Sequence, residues 1–151
     1  MRSFLPALAL IALGGCGSAG EDAREQALSL ARDDIACAAS EDCCAVVDGC
    51  LASVLLVSAT DRQAATDLLA RAPNDMCLAC ITPPVQVDCR AGRCVAVELV
   101  ADGSGAGDYP GAFSQDHCGA LEVPPGWQES PAAATASRGA LAVQTVIGCG
   151  E

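Results

Sequence analysis

Apolar and polar residues recur along this chain with two different periods, and the switch between them divides it into predicted elements. From Glu21 to Ala39 the apolar positions Leu28, Ala31, Ile35 and Ala38 fall at three- and four-residue steps. Glu21, Asp22 and Glu25 occupy the first turn, where carboxylates favour the positive end of a helix. The spacing predicts a helix over 21–39 with Cys37 near its end. At Cys43 the period changes to that of a strand. Asp48-Gly49 then separates Ala45-Val46-Val47 from the apolar run Cys50 to Ser58, a strong hairpin signal. Successive strand residues point to opposite faces, so Cys43 and Cys44 are expected to bridge to two different parts of the molecule.

Thr60 and Gln63 have the spacing of a capping box. They predict a second helix through Leu68, Leu69 and Arg71, stopped by Pro73. Beyond Ile81-Thr82-Pro83-Pro84, residues Val85 to Val100 read as a second hairpin. Val85, Val87 and Cys89 alternate inward, Ala91-Gly92 make the turn, and Val95, Val97 and Leu99 return. With that turn Arg90 faces Arg93 and Cys89 faces Cys94. A directly opposed, non-hydrogen-bonded pair has Cα atoms about 4.5 Å apart, at the short end of disulfide geometry. A Cys89–Cys94 bridge is therefore one candidate, and bridges from either cysteine to the helices are the other. Asp102 to Gly107 is a glycine-rich break. Loops follow, with Asp108-Tyr109-Pro110-Gly111, Cys118 and the turn Pro124-Pro125-Gly126, then an apolar closing strand Leu141 to Ile147 before Cys149. Cys118 and Cys149, the only cysteines of this part, are candidates to pair with each other. The expected architecture is α+β: a small disulfide-rich domain with two helices and antiparallel β-hairpins. Residues 21–100 form its cysteine-rich core, and 101–151 form a loop-rich extension closing on the same domain.

The chain begins with a third kind of pattern. Met1-Arg2 carries one positive charge, Phe4 to Leu13 is an apolar stretch of ten, and small residues follow, the order of an export signal. A membrane-spanning helix needs about 20 apolar residues; ten are too few. Leu13-Gly14-Gly15-Cys16 resembles the lipobox of bacterial lipoproteins, with a large aliphatic three positions before the cysteine and two small residues between. The resemblance implies cleavage of residues 1–15 and lipidation of Cys16 as a diacylglyceryl thioether, with a further acyl chain such as palmitate on its amine. Two or more chains anchor stably where one binds only marginally. Residues 16–20 would form the lipidated tether, reaching about 14 Å over the four residues beyond Cys16. Gly17 follows rather than the aspartate of inner-membrane retention, so the resemblance favours the outer membrane.

Composition supports the same compartment. Eleven cysteines less Cys16 leave ten: Cys37, Cys43, Cys44, Cys50, Cys77, Cys80, Cys89, Cys94, Cys118 and Cys149. An even set in an exported chain reads as a disulfide framework, since disulfides persist in oxidising spaces. The 52% hydrophobic content is inflated by 30 alanines and the cysteines, and beyond residue 15 the only aromatics are Tyr109, Phe113 and Trp127. Such a core is thin, and bridges worth about 2 to 4 kcal/mol each weigh heavily against total stabilities of about 5 to 15 kcal/mol. There is no lysine. Seven arginines against nineteen acids leave the part beyond residue 15 at −12, which excludes nucleic acid as a partner and leaves the lipid as the only membrane link. The acidity itself reads as a solubility device, with binding of cations or a basic partner as the alternative.

Cys37, Asp42-Cys43, Cys50, a helix, Cys77, Cys80 and Cys89-Arg90-Ala91-Gly92-Arg93-Cys94 together resemble the cysteine pattern of small lipoproteins of myxobacteria and related high-GC bacteria. The likeness covers roughly Cys37 to Val97. The tandem Cys43-Cys44 departs from it, and nothing after Val100 belongs to it. It implies fold and localisation and carries no activity.

Several motifs have candidate chemistry. Cys77 and Cys80 form a C-x-x-C pair, which with Cys89 and Cys94 could hold zinc or exchange thiols; outside the cytoplasm structural disulfides explain them better. His117, the only histidine, lies between Asp116 and Cys118, but no G-x-S-x-G elbow accompanies it and it reads as a loop residue. Gly103 to Gly107 resembles a nucleotide loop only superficially, because Asp108-Tyr109-Pro110-Gly111 blocks the helix such a loop requires. Asp102 and Asp108 lack the regular oxygen-ligand spacing of a calcium loop. Arg90 and Arg93, opposed near a hairpin tip, are candidates to receive a carboxylate or phosphate, unless they only neutralise nearby acids. Cys80 to Cys89, with Pro83-Pro84, resembles the disulfide-closed loops of Bowman-Birk protease inhibitors, although loop length and proline position differ. The expectation is a non-enzymatic, lipid-anchored envelope protein without cofactor or metal, held to the membrane through Cys16 and serving binding of an envelope protein or ligand, or a structural role. Protease inhibition is the alternative, and metal binding or thiol redox chemistry a more distant one.

Overall fold

The computed structural model describes residues 19–32, 34–49, 53–72, 82–105 and 107–131. The lipobox, Cys50, Cys77, Cys80, Cys149 and the expected closing strand 141–147 lie outside them. In chain order the elements are helix α1 (Ala19–Leu30), strands β1 (Cys43–Asp48) and β2 (Ser53–Ser58), helix α2 (Arg62–Arg71), and strands β3 (Val85–Arg90), β4 (Arg93–Ala101), β5 (His117–Cys118) and β6 (Trp127–Glu129). They form two antiparallel three-stranded sheets, ordered β2-β1-β5 and β3-β4-β6. The expected α+β class with two helices and antiparallel hairpins is what the chain adopts.

Strand alternation builds the layers. Cys43, Ala45 and Val47 of β1, with Val54 and Leu56 of β2, face Val85, Val87 and Cys89 of β3 and Cys94 and Ala96 of β4. Cys44, Val46, Leu55 and Val57 point the other way. They meet Ala27 and Leu30 of α1 and Ala65, Leu68 and Leu69 of α2. The order is therefore helices, first sheet, second sheet, and β1 is buried on both faces.

Three disulfides form among the described residues: Cys37–Cys89 and Cys43–Cys94 fasten the second sheet to the segment 37–43, and Cys44–Cys118 joins the neighbouring strands β1 and β5 of the first sheet. The tandem cysteines diverge as strand geometry requires, Cys43 into the second sheet and Cys44 to β5. Cys89 and Cys94 are directly opposed in the register, as are Arg90 and Arg93. The candidate Cys89–Cys94 bridge is not formed, because both sulfurs project from one face of the hairpin toward the segment 37–43 and bond there. Cys118 likewise bonds its strand partner Cys44 rather than Cys149.

The first helix ends at Leu30, well before the expected Ala39. Cys94 N–H donates to Ile35 O at 2.9 Å and Cys37 N–H to Gly92 O at 3.1 Å. Residues 35–37 thus trade helical hydrogen bonds for a bridge along β4, which presents Cys37 to Cys89. Helix α1 also starts at Ala19, inside the expected tether. The first hairpin pairs Asp48 with Ser53, so Asp48 closes a strand instead of opening a two-residue turn, and the connection is 49–52. The capping box does not form either. Asp61 is the residue preceding α2, Thr60 Oγ1 lies 2.8 Å from Ser58 Oγ, and Gln63 donates to Asp67 one turn on.

In the second hairpin the register pairs Val87 with Ala96 and Gln86 with Val97. Val97 and Leu99 therefore face away from Val85 and Val87, where the alternation had all of them returning inward. Both faces are nonetheless covered. Buried Gln86 closes the outer one, its amide donating to Leu121 O at 2.6 Å and accepting from Leu121 N–H at 3.0 Å, a side chain imitating a strand pairing. Tyr109 donates its hydroxyl to Thr82 O and sets its ring edge-on to Trp127.

Helix α1 is fastened to β1 by charge as well. Arg24 Nε lies 2.9 Å from Asp48 Oδ2, whose side chain is 4% exposed. Arg24→Met should lower stability by about 1 to 3 kcal/mol in urea denaturation, because a buried carboxylate loses a charged hydrogen-bond donor.

The bridges predict a second effect. Cys37–Cys89 and Cys43–Cys94 span 52 and 51 positions and cross. Once one is closed, the other completes a ring of only about 12 links, running through the short segments 37–43 and 89–94. In the chain-entropy model the first closure is worth about 4 kcal/mol and the second about 3. Replacing either pair with alanine should cost about 3 kcal/mol, and replacing both about 7. Denaturation of the three variants should thus show a double loss about 1 kcal/mol above the sum of the singles.

Candidate functional site

The densest chemistry lies where segment 37–43 crosses the β3–β4 hairpin. Cys43 opens β1, Cys94 follows the turn into β4, and Cys37 is held by the Gly92 carbonyl. The turn requires left-handed backbone at Ala91 (φ 51°) and Gly92 (φ 75°), which brings the strands round tightly enough to oppose Cys89 and Cys94. The Sγ atoms of Cys37, Cys43 and Cys94 all lie within 4.8 Å of one another, and Cys89 is bonded to the first of them. Cys43 and Cys94 are buried; Cys37 and Cys89 are half-buried. Two bridges therefore lie side by side, one sealed in the core and one reaching its edge.

Polar groups brace the same junction. Asp42 Oδ2 accepts the Ala38 and Ala39 N–H groups at 2.7 and 3.0 Å, and these bonds hold its carboxyl below its ordinary range. Asp88 accepts the Ser40 hydroxyl and its neighbour's Cys89 N–H. The Ser40 bond above all, with Arg90 beside it, draws Asp88 below its ordinary range against the opposing effect of burial.

Arg90 and Arg93 do meet across the turn, but they differ in their partners. Arg90 is engaged by Glu129 and by Asp88, bonds that raise its already high pKa, Glu129 contributing most. An anion arriving there would have to displace carboxylates already in place. Arg93 is exposed and forms no ion pair among the described residues.

The remaining candidates are separate from this junction. His117 Nδ1 donates to Gln115 O at 2.9 Å, while its Nε2 is buried without a partner among the described residues. Asp116 turns to Val47 N–H and the Thr66 hydroxyl instead. Neighbouring Cys118 is disulfide-bonded, so neither Asp116 nor Cys118 forms a catalytic partner of His117 among the described residues. Asp102 accepts both the N–H and the hydroxyl of Ser104 and is held low by them, the hydroxyl first; this is a turn device in an exposed loop. Pro83, Pro84, Val85 and Gln86 are buried. Those four residues offer a protease no exposed loop; Cys80 and Ile81 of the same stretch lie outside the described residues.

The bracing by Asp42 and Asp88 was not anticipated from sequence. The spacing Ser40 to Asp42, serine and aspartate just ahead of an apolar strand, was its only local sign. Comparisons with protein-family models, curated proteins and solved structures returned no match.

Carboxylates whose folded pKa is depressed stabilise the fold above their unfolded value, 3.8, and lose that contribution as pH falls through the folded pKa. Asp42 and Asp88 should therefore add to stability at neutral pH and to its loss below about pH 4. In urea denaturation from pH 7 to 2, Asp42→Asn should flatten the acid-side slope; an unchanged slope would show that the carboxylate is no better held in the fold than in the open chain.

Proposed function

We propose that this chain is a lipid-anchored protein of the cell envelope, attached through Cys16, whose folded body serves binding of an envelope protein or ligand, or a structural role, rather than catalysis. The observation that carries the reading is the order of two features: Leu13-Gly14-Gly15-Cys16, followed almost at once by a body knit by three disulfides. Disulfides of that kind persist outside the reducing cytoplasm, and a lipobox addresses a chain to the same side of the membrane. Gly17 in place of a retention aspartate favours the outer membrane. The likeness to small cysteine-rich lipoproteins of myxobacteria agrees with this address.

The geometry supports an anchor independent of the fold. Helix α1 begins three residues after Cys16, and its inner face packs through Ala27 on the first sheet. The body therefore begins close to the lipid. At −12 beyond residue 15, it is repelled by anionic headgroups, which leaves the acyl chains as the attachment.

Expressed in a bacterial host, the chain should take up labelled palmitate and sediment with membranes. Cys16→Ala should take up none and appear in the soluble envelope fraction with its disulfides intact. Retention of Cys16→Ala in the membrane, or a wild-type chain without label, would overturn the reading.

A further inference from the structure

We propose that the paired bridges Cys37–Cys89 and Cys43–Cys94 are the oxidised form of a four-thiolate site for a zinc-class ion, a site that opens when both bridges are reduced. The proposal goes beyond the envelope reading and does not depend on it.

The first argument is distance. Four sulfurs around tetrahedral zinc, at about 2.3 Å each, sit about 3.8 Å apart. Three of the four, Cys37, Cys43 and Cys94, already lie within 4.8 Å of one another. Reduction must separate each bonded pair from about 2.0 Å to that spacing, while the contacts of Cys37 with Cys43 and Cys94 close by about 1 Å or less. Cys89, freed from Cys37, must turn in as the fourth ligand. The bridge Cα separations, 5.9 and 5.4 Å, leave room for those side-chain rotations.

The second argument is that the backbone holds the cysteines without the bonds. Cys89 and Cys94 are fixed by the β3–β4 register, Cys37 by its N–H to Gly92 O, and the Cys43 strand by six register pairs with β2. Ligand pairs with four residues between them on a tight turn, as Cys89 and Cys94 have, match common structural zinc spacing. The half-buried Cys37–Cys89 bridge gives a reductant and then an ion a way in, and buried Cys43 and Cys94 close the inner side.

The chemistry balances with a dithiol as reductant. Two dithiol molecules each deliver two electrons and two protons, becoming disulfides, and the four protein sulfurs become thiols. The ion then displaces the four thiol protons to solvent. Two disulfide molecules of the same reagent, each taking two electrons and two protons and returning to dithiol, re-form the two bridges and release the ion. Cys44–Cys118, bonded on the opposite face of β1, stands apart and serves as the control.

The test uses the full chain, reduced with dithiol, freed of reductant under nitrogen, and titrated with Co2+ as an optical probe and then with Zn2+. We expect the visible bands of tetrahedral cobalt thiolate saturating at one equivalent and bleached by Zn2+. Cys89→Ser and Cys43→Ser should weaken binding by more than the roughly 10- to 100-fold that loss of a group merely supporting a ligand costs. The double change Cys44→Ser with Cys118→Ser should leave the bands and the affinity unchanged. Circular dichroism of each reduced chain, with and without Zn2+, separates ligand loss from unfolding, since cysteines of an unfolded chain would bind with no dependence on Cys43 or Cys89. Absence of the tetrahedral bands, or bands indifferent to Cys43→Ser and Cys89→Ser, would overturn the proposal.

Discussion

Everything in this fold depends on one strand having no free face. β1 lies between the helices and the second sheet, and each of its first four residues is buried. A strand so placed must be apolar on both sides, yet its residues are small: two cysteines, an alanine and a valine open it. Small side chains bring the layers close but contribute little burial each. The tandem cysteines ease that tension, because alternation turns one sulfur to each face: Cys43 bonds across to the second sheet and Cys44, on the helix side, bonds β5 of its own sheet, so covalent bonds supplement the small apolar area.

The same economy explains why the bridges are arranged as they are. With few aromatic residues and an alanine-rich interior, the chain gains more from restricting its unfolded ensemble than from enlarging its core. Cys43–Cys94 closes a long loop. Cys37–Cys89 then locks the crossing segments locally, and Asp42, Ser40 and Asp88 stitch the polar backbone between them. Polar groups away from open solvent work here as connectors: buried Gln86 to the Leu121 backbone, half-buried Asp116 to β1 and α2.

Much of this was legible in the chain. The Ala91-Gly92 turn fixed the register of the second hairpin, since a two-residue turn leaves little freedom, whereas alternation put Val95, Val97 and Leu99 on the wrong face. The divergence of Cys43 and Cys44 followed from strand geometry alone. What escaped was non-local. The helical period over 31–38 was real as a pattern, but Ile35 and Cys37 are apolar for another reason, because they face the second sheet from an extended segment. Periodicity cannot distinguish the two when a tertiary hydrogen bond to β4 outbids the helical one. Cys89 and Cys94 are opposed as expected, and of the two open alternatives the direct bridge is the one not formed, since opposition in a hairpin also places two sulfurs side by side toward a third segment. At the candidate site, the cysteines were visible by residue type, whereas their convergence required that third segment.

Disulfide pairing and ligand convergence are two consequences of the same placement. A segment that delivers Cys37 and Cys43 to the sulfur-bearing face of the β3–β4 hairpin brings four thiols together before any bond forms, and which bonds then form is decided by the redox state around the chain. In an oxidising space they end as two crossed bridges. Under reducing conditions four adjacent thiols in a half-buried corner can lower their free energy by releasing their protons to a shared cation. The β-register that stabilises the oxidised body is therefore the element that would preorganise the proposed reduced site.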